Sequence, residues 1–389
     1  MTAALARLRH PTTWSTPVRA WALSRLVVLA AAAAASLTFG EPRLGVDRLV
    51  PRWLAALGGW DTSWYLDIAQ HGYDHYTDLA GAVYTNLPFF PLVPVVMKAG
   101  IALHVNPFVF ALVVNNLAFL GALVGLRRLT AERFGERRAD VVTWGTALFP
   151  PTVYASMAYT EAVTLALAVA AGYLAHRGRI GWAACVASAA TLARPPGVLV
   201  AVLVALIAFD RGGPTAARAR RAAVALVPAA LTLGAYLAWM QLTRGAWNLP
   251  FVAQEAWKRG PLVVGVITYL PVEVGDSIRA LARGDFYHWW VPVWRQSIGV
   301  AVYAWLLVRL YRMEGWRSPW VLYTAATFAL PLASGSLTSM TRFGLLAYPL
   351  AWAGATWLEE GGRRRMRLWA GIGVVLLAVL TFEMLWYSP

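Results

Sequence analysis

Apolar runs of about 20 residues recur from one end of this chain to the other, each long enough to cross a bilayer as a helix. That recurrence constrains the fold more than any motif. Hydrocarbon offers no water to backbone N–H and C=O groups, so only helices and closed barrels can span it. The short alternating segments of a barrel are absent. Composition agrees: 59% of the residues are hydrophobic and 14% charged, against about 45–50% and about 25% in soluble domains. The expected fold class is an all-α polytopic membrane protein.

The formal charge is +15, from 34 Lys and Arg against 19 Asp and Glu. In a soluble protein such an excess would suggest nucleic acid. Here the basic residues cluster between apolar runs, at Arg7 to Arg19, Arg127–Arg138, His176–Arg179, Asp210–Arg221, Arg309–Arg317 and Arg363–Arg367. That is a topology signal, so these loops are placed in the cytoplasm and no nucleic-acid partner is expected. The single cysteine, Cys185, lies in an apolar run and suggests no disulfide or redox chemistry.

With those loops inside, residues 18–39 run outward, 107–126 return, 139–157 run outward with a kink at Pro150-Pro151, and 162–176 return. Residues 180–193 and 197–209 form a short outward-and-back pair. Residues 222–243, 291–310, 319–336, 343–358 and 368–386 then alternate, giving about 11 spans. Residues 88–104 and 261–272 read as re-entrant or interfacial pieces, and the total rises to about 13 if both span. The chain 1–389 is expected to be one integral membrane domain, with an external catalytic loop over about 40–104.

This topology sends the unusual polar groups to the external side. The densest stretch is Gly58 to Tyr73, with Trp60, Asp61, Asp67 and His71. Acids near hydrocarbon are costly and usually functional. Asp61 suits a helix N-cap, and it also suits a general base within reach of a hydroxyl proton. Asp67 falls nearly two helical turns later, where it could share a face with Asp61, and lies four residues before His71. Asp61 and Asp67 could in principle hold a metal, although none is expected. Glu161 follows Tyr159-Thr160 and opens an apolar run, as a first-turn acid or a site residue. Arg194 and Arg342 stand on the side where arginine is disfavoured. They are either snorkelling side chains or guanidinium forks for phosphate. Gln254 and Trp257 complete the candidate substrate-binding set. Lys258 and Arg259 read as exposed loop charges, and Trp289-Trp290 as interfacial belt.

The ordered set Trp60-Asp61, Ile68-Ala69-Gln70-His71-Gly72-Tyr73, Phe89 to Pro94, Phe149-Pro150-Pro151 with Tyr159-Thr160-Glu161, Leu192 to Gly197, and Ser339 to Phe343 before Tyr348-Pro349-Leu350 resembles PIG-V-like mannosyltransferases. That family includes GPI mannosyltransferase II and many bacterial relatives. Where the family often has Gly and His just after Trp-Asp, this chain has Thr62, Ser63 and Trp64. The resemblance implies a GT-C membrane glycosyltransferase in a bacterial plasma membrane, with the active site outside. It implies inverting transfer of a sugar, mannose above others, from a polyprenyl-phosphate-linked donor to a lipid or glycolipid acceptor. Asp61 would be the catalytic base, Arg342 with Arg194 would hold the phosphate, and no cofactor or metal would be required. The alternatives are a transporter or flippase for a lipid-linked sugar, or a GT-C enzyme with another sugar or a protein acceptor.

Overall fold

The structure is a computed structural model that describes residues 11–38, 50–73, 76–79, 82–257, 259–260, 264–337 and 339–386. The basic residues at Arg7 and Arg9, all of 40–49, Lys258 and the start of 261–272 lie outside them. Helices dominate: α1 Pro11–Thr38, α2 Asp61–His71, α3 Leu92–Ala102, α4 Pro107–Phe134, α5 Glu136–Ala147, α6 Glu161–His176, α7 Ile180–Thr191 and α8 Val198–Asp210. They continue with α9 Thr215–Arg244, α10 Leu270–Ala282, α11 Arg295–Glu314, α12 Pro319–Ala333, α13 Met340–Leu346, α14 Leu350–Glu360 and α15 Gly362–Trp386. One antiparallel hairpin interrupts the helices between α2 and α3. In it β1, Tyr76–Leu79, pairs with β2, Ala82–Thr85, in the register Tyr76↔Thr85 to Leu79↔Ala82.

Among the described residues, 5 helices are long and apolar enough to cross a membrane: Ser15–Thr38, Pro107–Phe134, Thr215–Arg244, Phe286–Glu314 and Gly362–Met384. A sixth is Pro150–Ser156 with Glu161–His176, if that pair, bent by 102°, is one span. The expected spans 180–193, 319–336 and 197–209 correspond to shorter apolar helices, α7, α12 and the segment Pro195–Asp210. α3, over residues expected to be re-entrant or interfacial, is also short.

The contacts divide the chain into two compact units. One comprises Met1–Gln70, Pro91–Arg179 and Ala351–Pro389. Here α1 packs along α15 and α4, and α4 along α5 and α6. Asn106 caps α4 by accepting from the N–H groups of Phe108 and Val109, with Pro107 at the first helical position, a cap worth about 1 kcal/mol. The expected kinked span 139–157 is instead broken. α5 stops at Ala147, and Pro150–Ser156 is a separate 3-10 turn. Two consecutive prolines lack the N–H donors a helix needs and clash with the preceding turn. The broken backbone is satisfied from α1. Buried Arg25 donates to the Thr152 carbonyl at 3.0 Å and to the Ser156 hydroxyl, with its guanidinium 4.6 Å from the Phe119 ring centre.

The other unit comprises His71–Phe90 and Ile180–Leu350. α9 packs on α7 and α8, α8 on α12, and both α11 and α12 on α13. α7 and α8 join through Arg194-Pro195-Pro196-Gly197, where a Cβ on Gly197 would overlap the Ala190 carbonyl oxygen. Only glycine permits that approach. The expected span 343–358 divides into α13 and α14 at Ala347 to Pro349, because proline cannot continue the i→i−4 ladder. The Tyr323 hydroxyl donates to the Leu346 carbonyl at 3.0 Å at that break.

Candidate functional site

In the first unit, chain reversal at Gly59-Trp60 sets the position of Asp61. Trp60 occupies the left-handed region, with φ 58°. That conformation costs a bulky residue roughly 1–3 kcal/mol and persists only where neighbours enforce it. The enforcing group is Tyr159, whose hydroxyl donates to the Gly59 carbonyl at 3.2 Å and accepts from the Asp61 N–H at 3.4 Å. Tyr159 is fixed in turn. Its carbonyl and that of Met157 accept from the buried Asn115 amide at 2.7 and 2.6 Å, and its ring stacks on Tyr154 at 6.0 Å. Two motifs about 100 residues apart thus meet at one hydroxyl.

α2 begins at Asp61, so Asp61 is a first-turn acid and Trp60 is the residue before the helix. Thr62, Tyr65, Leu66 and Ala69 form its buried stripe, while Asp61 and Asp67 are half-buried. At about 100° per residue, six positions place Asp61 and Asp67 about 120° apart around the axis. The expectation that they share a face is corrected: 3.6 residues per turn does not bring positions i and i+6 into line. Among the described residues no group of three or more His, Cys, Asp or Glu is arranged to hold a metal ion. The indole N–H of Trp60 is shielded from solvent and meets no acceptor among the described residues. Glu161 is the first residue of α6 and is fully buried.

In the second unit, exposed His71 ends α2 and Gly72, with φ 90°, turns the chain away. The buried Asn86 amide donates to the Gly72 carbonyl at 3.0 Å, and Arg244 donates to the Tyr73 carbonyl at 3.2 Å. The Tyr73 hydroxyl donates to the Phe89 carbonyl at 2.8 Å. These bonds join the His71-Gly72-Tyr73 and Phe89-Phe90 motifs. Trp257 sits in a 3-10 turn with Gln254, its ring edge-on to Tyr84 at 4.7 Å and to Phe89 at 6.0 Å.

The arginines gather around Phe343. The Arg194 guanidinium lies 4.6 Å from the centre of that ring and the Arg259 guanidinium 5.9 Å. Arg342 precedes Phe343 in α13 and is buried. Two guanidinium groups thus lie within cation–π range of one aromatic ring, and a third arginine, Arg342, is its neighbour in sequence. Arg259, expected as an exposed loop charge, is half-buried. Its position is set by its bond to the Ser334 hydroxyl at 3.3 Å and by the Gly260 N–H bond to the Ser334 carbonyl at 3.0 Å. Asn115, Arg244 and Arg259 were not singled out as site residues. The available signals were polar residues interrupting or ending apolar runs.

No protein-family model matches the chain, and no curated protein matches it. Solved structures do. ArnT from Cupriavidus metallidurans bound to undecaprenyl phosphate superposes with a TM-score of 0.51 and 14% identity, over 97% of this chain and 77% of that one. The Archaeoglobus fulgidus oligosaccharyltransferase, in complex with Zn and sulfate, gives a TM-score of 0.46 at 12% identity over 95% of this chain and 53% of that one. AglB from the same organism, in complex with an inhibitory peptide and a dolichol-phosphate, gives 0.45 at 11% identity, over 96% and 56%. The chain spans little more than half the length of these last two. With the ArnT superposition covering nearly the whole chain, the protein has an all-α polytopic membrane fold of the GT-C type.

Proposed function

We propose that the protein is a membrane glycosyltransferase that takes a sugar, mannose above others, from a polyprenyl-phosphate-linked donor and passes it to a lipid or glycolipid acceptor on the external face. The observation that carries this reading is the gathering of Arg194 and Arg259 on Phe343 beside Arg342, in a chain of GT-C fold. A guanidinium fork matches a phosphate in charge and planar geometry. The likeness to ArnT bound to undecaprenyl phosphate supports a lipid phosphate as the anion. The PIG-V-like motif order supports mannose.

In this reaction Asp61 accepts the proton of the acceptor hydroxyl as its oxygen attacks the anomeric carbon. The bond from that carbon to the phosphate oxygen breaks, and the polyprenyl phosphate departs with the bonding pair. The new glycosidic bond has inverted configuration. The phosphate leaves as an anion stabilised by Arg342, Arg194 and Arg259, so the reaction is written without a general acid, metal or cofactor. Trp60, Glu161, Gln254, Trp257, Asp67 and His71 are assigned to substrate binding.

The test is incubation of the purified protein with polyprenyl-phosphate-mannose and cell-envelope lipids, with the anomeric configuration of the product read by NMR. Formation of a mannosyl lipid of inverted configuration supports the reading. A product with retained configuration contradicts the mechanism, and movement of intact donor across vesicles without transfer replaces the enzyme by a flippase.

A further inference from the structure

The polypeptide leading into Arg342 is held under strain by buried groups from two other helices. Ser339 lies in the left-handed region, with φ 71°, although it is neither glycine nor asparagine. Its carbonyl accepts from the N–H groups of Arg342 at 2.9 Å and Phe343 at 3.4 Å, so this residue fixes where α13 starts and how Arg342 leaves the backbone. Such a conformation persists where its surroundings over-determine it. On the near side, Glu273 of α10 is 7% exposed and receives the Ser336 hydroxyl at 3.0 Å and the Leu337 N–H at 2.9 Å on its two oxygens. On the far side, the carbonyl oxygen of buried Gln296 of α11 accepts from the Thr341 N–H at 2.9 Å. The Tyr303 hydroxyl donates to the Thr341 carbonyl at 2.9 Å. α11 comes close enough that a Cβ on Gly299 would lie 2.7 Å from Cγ2 of Thr341.

The Glu273 carboxylate holds the Ser336 hydroxyl and the Leu337 N–H at once. Its two oxygens grip successive residues and leave the turn one way to run. We infer that Glu273, with Gln296 as its counterpart, is a positioning residue for lipid-phosphate recognition. It acts through the Ser339 turn to orient Arg342, and this rests on the assignment of Arg342 to the phosphate. Glu273 itself touches no substrate.

A double-mutant cycle on the full-length protein tests this, with undecaprenyl phosphate as the probe and its Kd as the readout. Glu273→Gln keeps the shape but offers one carbonyl oxygen and an NH2 group to two donors, so one of the two bonds is lost. The expected result is roughly tenfold weaker binding for Glu273→Gln. In an Arg342→Lys background the same change should produce no further loss. Ser336→Ala, which removes one bond and leaves the carboxylate, gives the same pattern in milder form and serves if Glu273→Gln does not fold. Equal losses in both backgrounds, or unchanged Kd for Glu273→Gln and Ser336→Ala, would overturn the inference while leaving the arginine site standing. A parent protein that does not bind undecaprenyl phosphate removes the arginine assignment, and this inference with it.

Discussion

Replacing Tyr159 by Phe deletes the one oxygen that bonds to both the Gly59 carbonyl and the Asp61 N–H. A neutral hydrogen bond contributes about 1 kcal/mol, so the melting temperature should fall only modestly. The turn that aims Asp61 loses its enforcer, and sugar transfer should drop by about tenfold, corresponding to about 1.4 kcal/mol of transition-state stabilisation. Steady-state rates with matched melting curves check this; equal rates would mean that packing alone holds the Trp60 turn. Arg342→Lys keeps the charge and loses the fork. Donor KM should rise roughly tenfold with the fold intact, and Arg342→Ala should cost more. A loss confined to protein yield, with ordinary kinetics in what folds, would make Arg342 a helix-end charge and nothing more. Asp61, Glu161, Arg194 and Arg342 were legible as candidates, because charge beside apolar runs is conspicuous. Asn115, Glu273 and Gln296 were not. A polar residue in or beside an apolar stretch shows that it needs a partner but not which one, and the partner lies 42, 63 or 45 positions away.

Helix breaks are where side chains from elsewhere complete the backbone. Gly344 in α13 lies against the Tyr303 ring, which a Cβ would overlap. Gly344→Ala should therefore cost about 1–3 kcal/mol by overpacking and should also weaken donor binding, since Tyr303 holds the Thr341 carbonyl. Gly121→Ala in α4, where the new methyl meets nothing within 4 Å, is the control and should not lower the melting temperature. Equal behaviour of the two variants by thermal melting would contradict the packing at α13. The long elements α1, α4, α9, α11 and α15 were legible from hydropathy, since composition alone distinguishes a run of that length. Their ends were less so. α4 continues to Phe134 through Arg127 and Arg128, because helical hydrogen bonds do not depend on apolar side chains. The hairpin of β1 and β2 gave no clear signal, because Tyr76 to Thr85 lacks a clean apolar–polar alternation.

At the scale of the whole molecule, the basic clusters predict that the Trp60-Asp61 stretch and the Arg127–Arg138 segment lie on opposite faces of the membrane. Ser63 and Arg137 are exposed, whereas Thr62 is fully buried. Ser63→Cys and Arg137→Cys, each in a Cys185→Ala background because Cys185 is exposed, should react with an impermeant thiol reagent from opposite sides of oriented vesicles. Labelling from the same side would contradict the opposite placement of the two stretches. The central claim is that the chain transfers a lipid-linked sugar with Asp61 as base, and turnover of Asp61→Asn tests it most directly. Asparagine keeps the shape and the oxygen acceptor at the start of α2 but cannot take a proton. With labelled polyprenyl-phosphate-mannose and envelope lipid, the parent should form product. The variant should melt and bind donor like the parent, yet turn over about 10²–10⁴-fold more slowly. An Asp61→Asn enzyme that transfers sugar at the parent's rate would contradict the account.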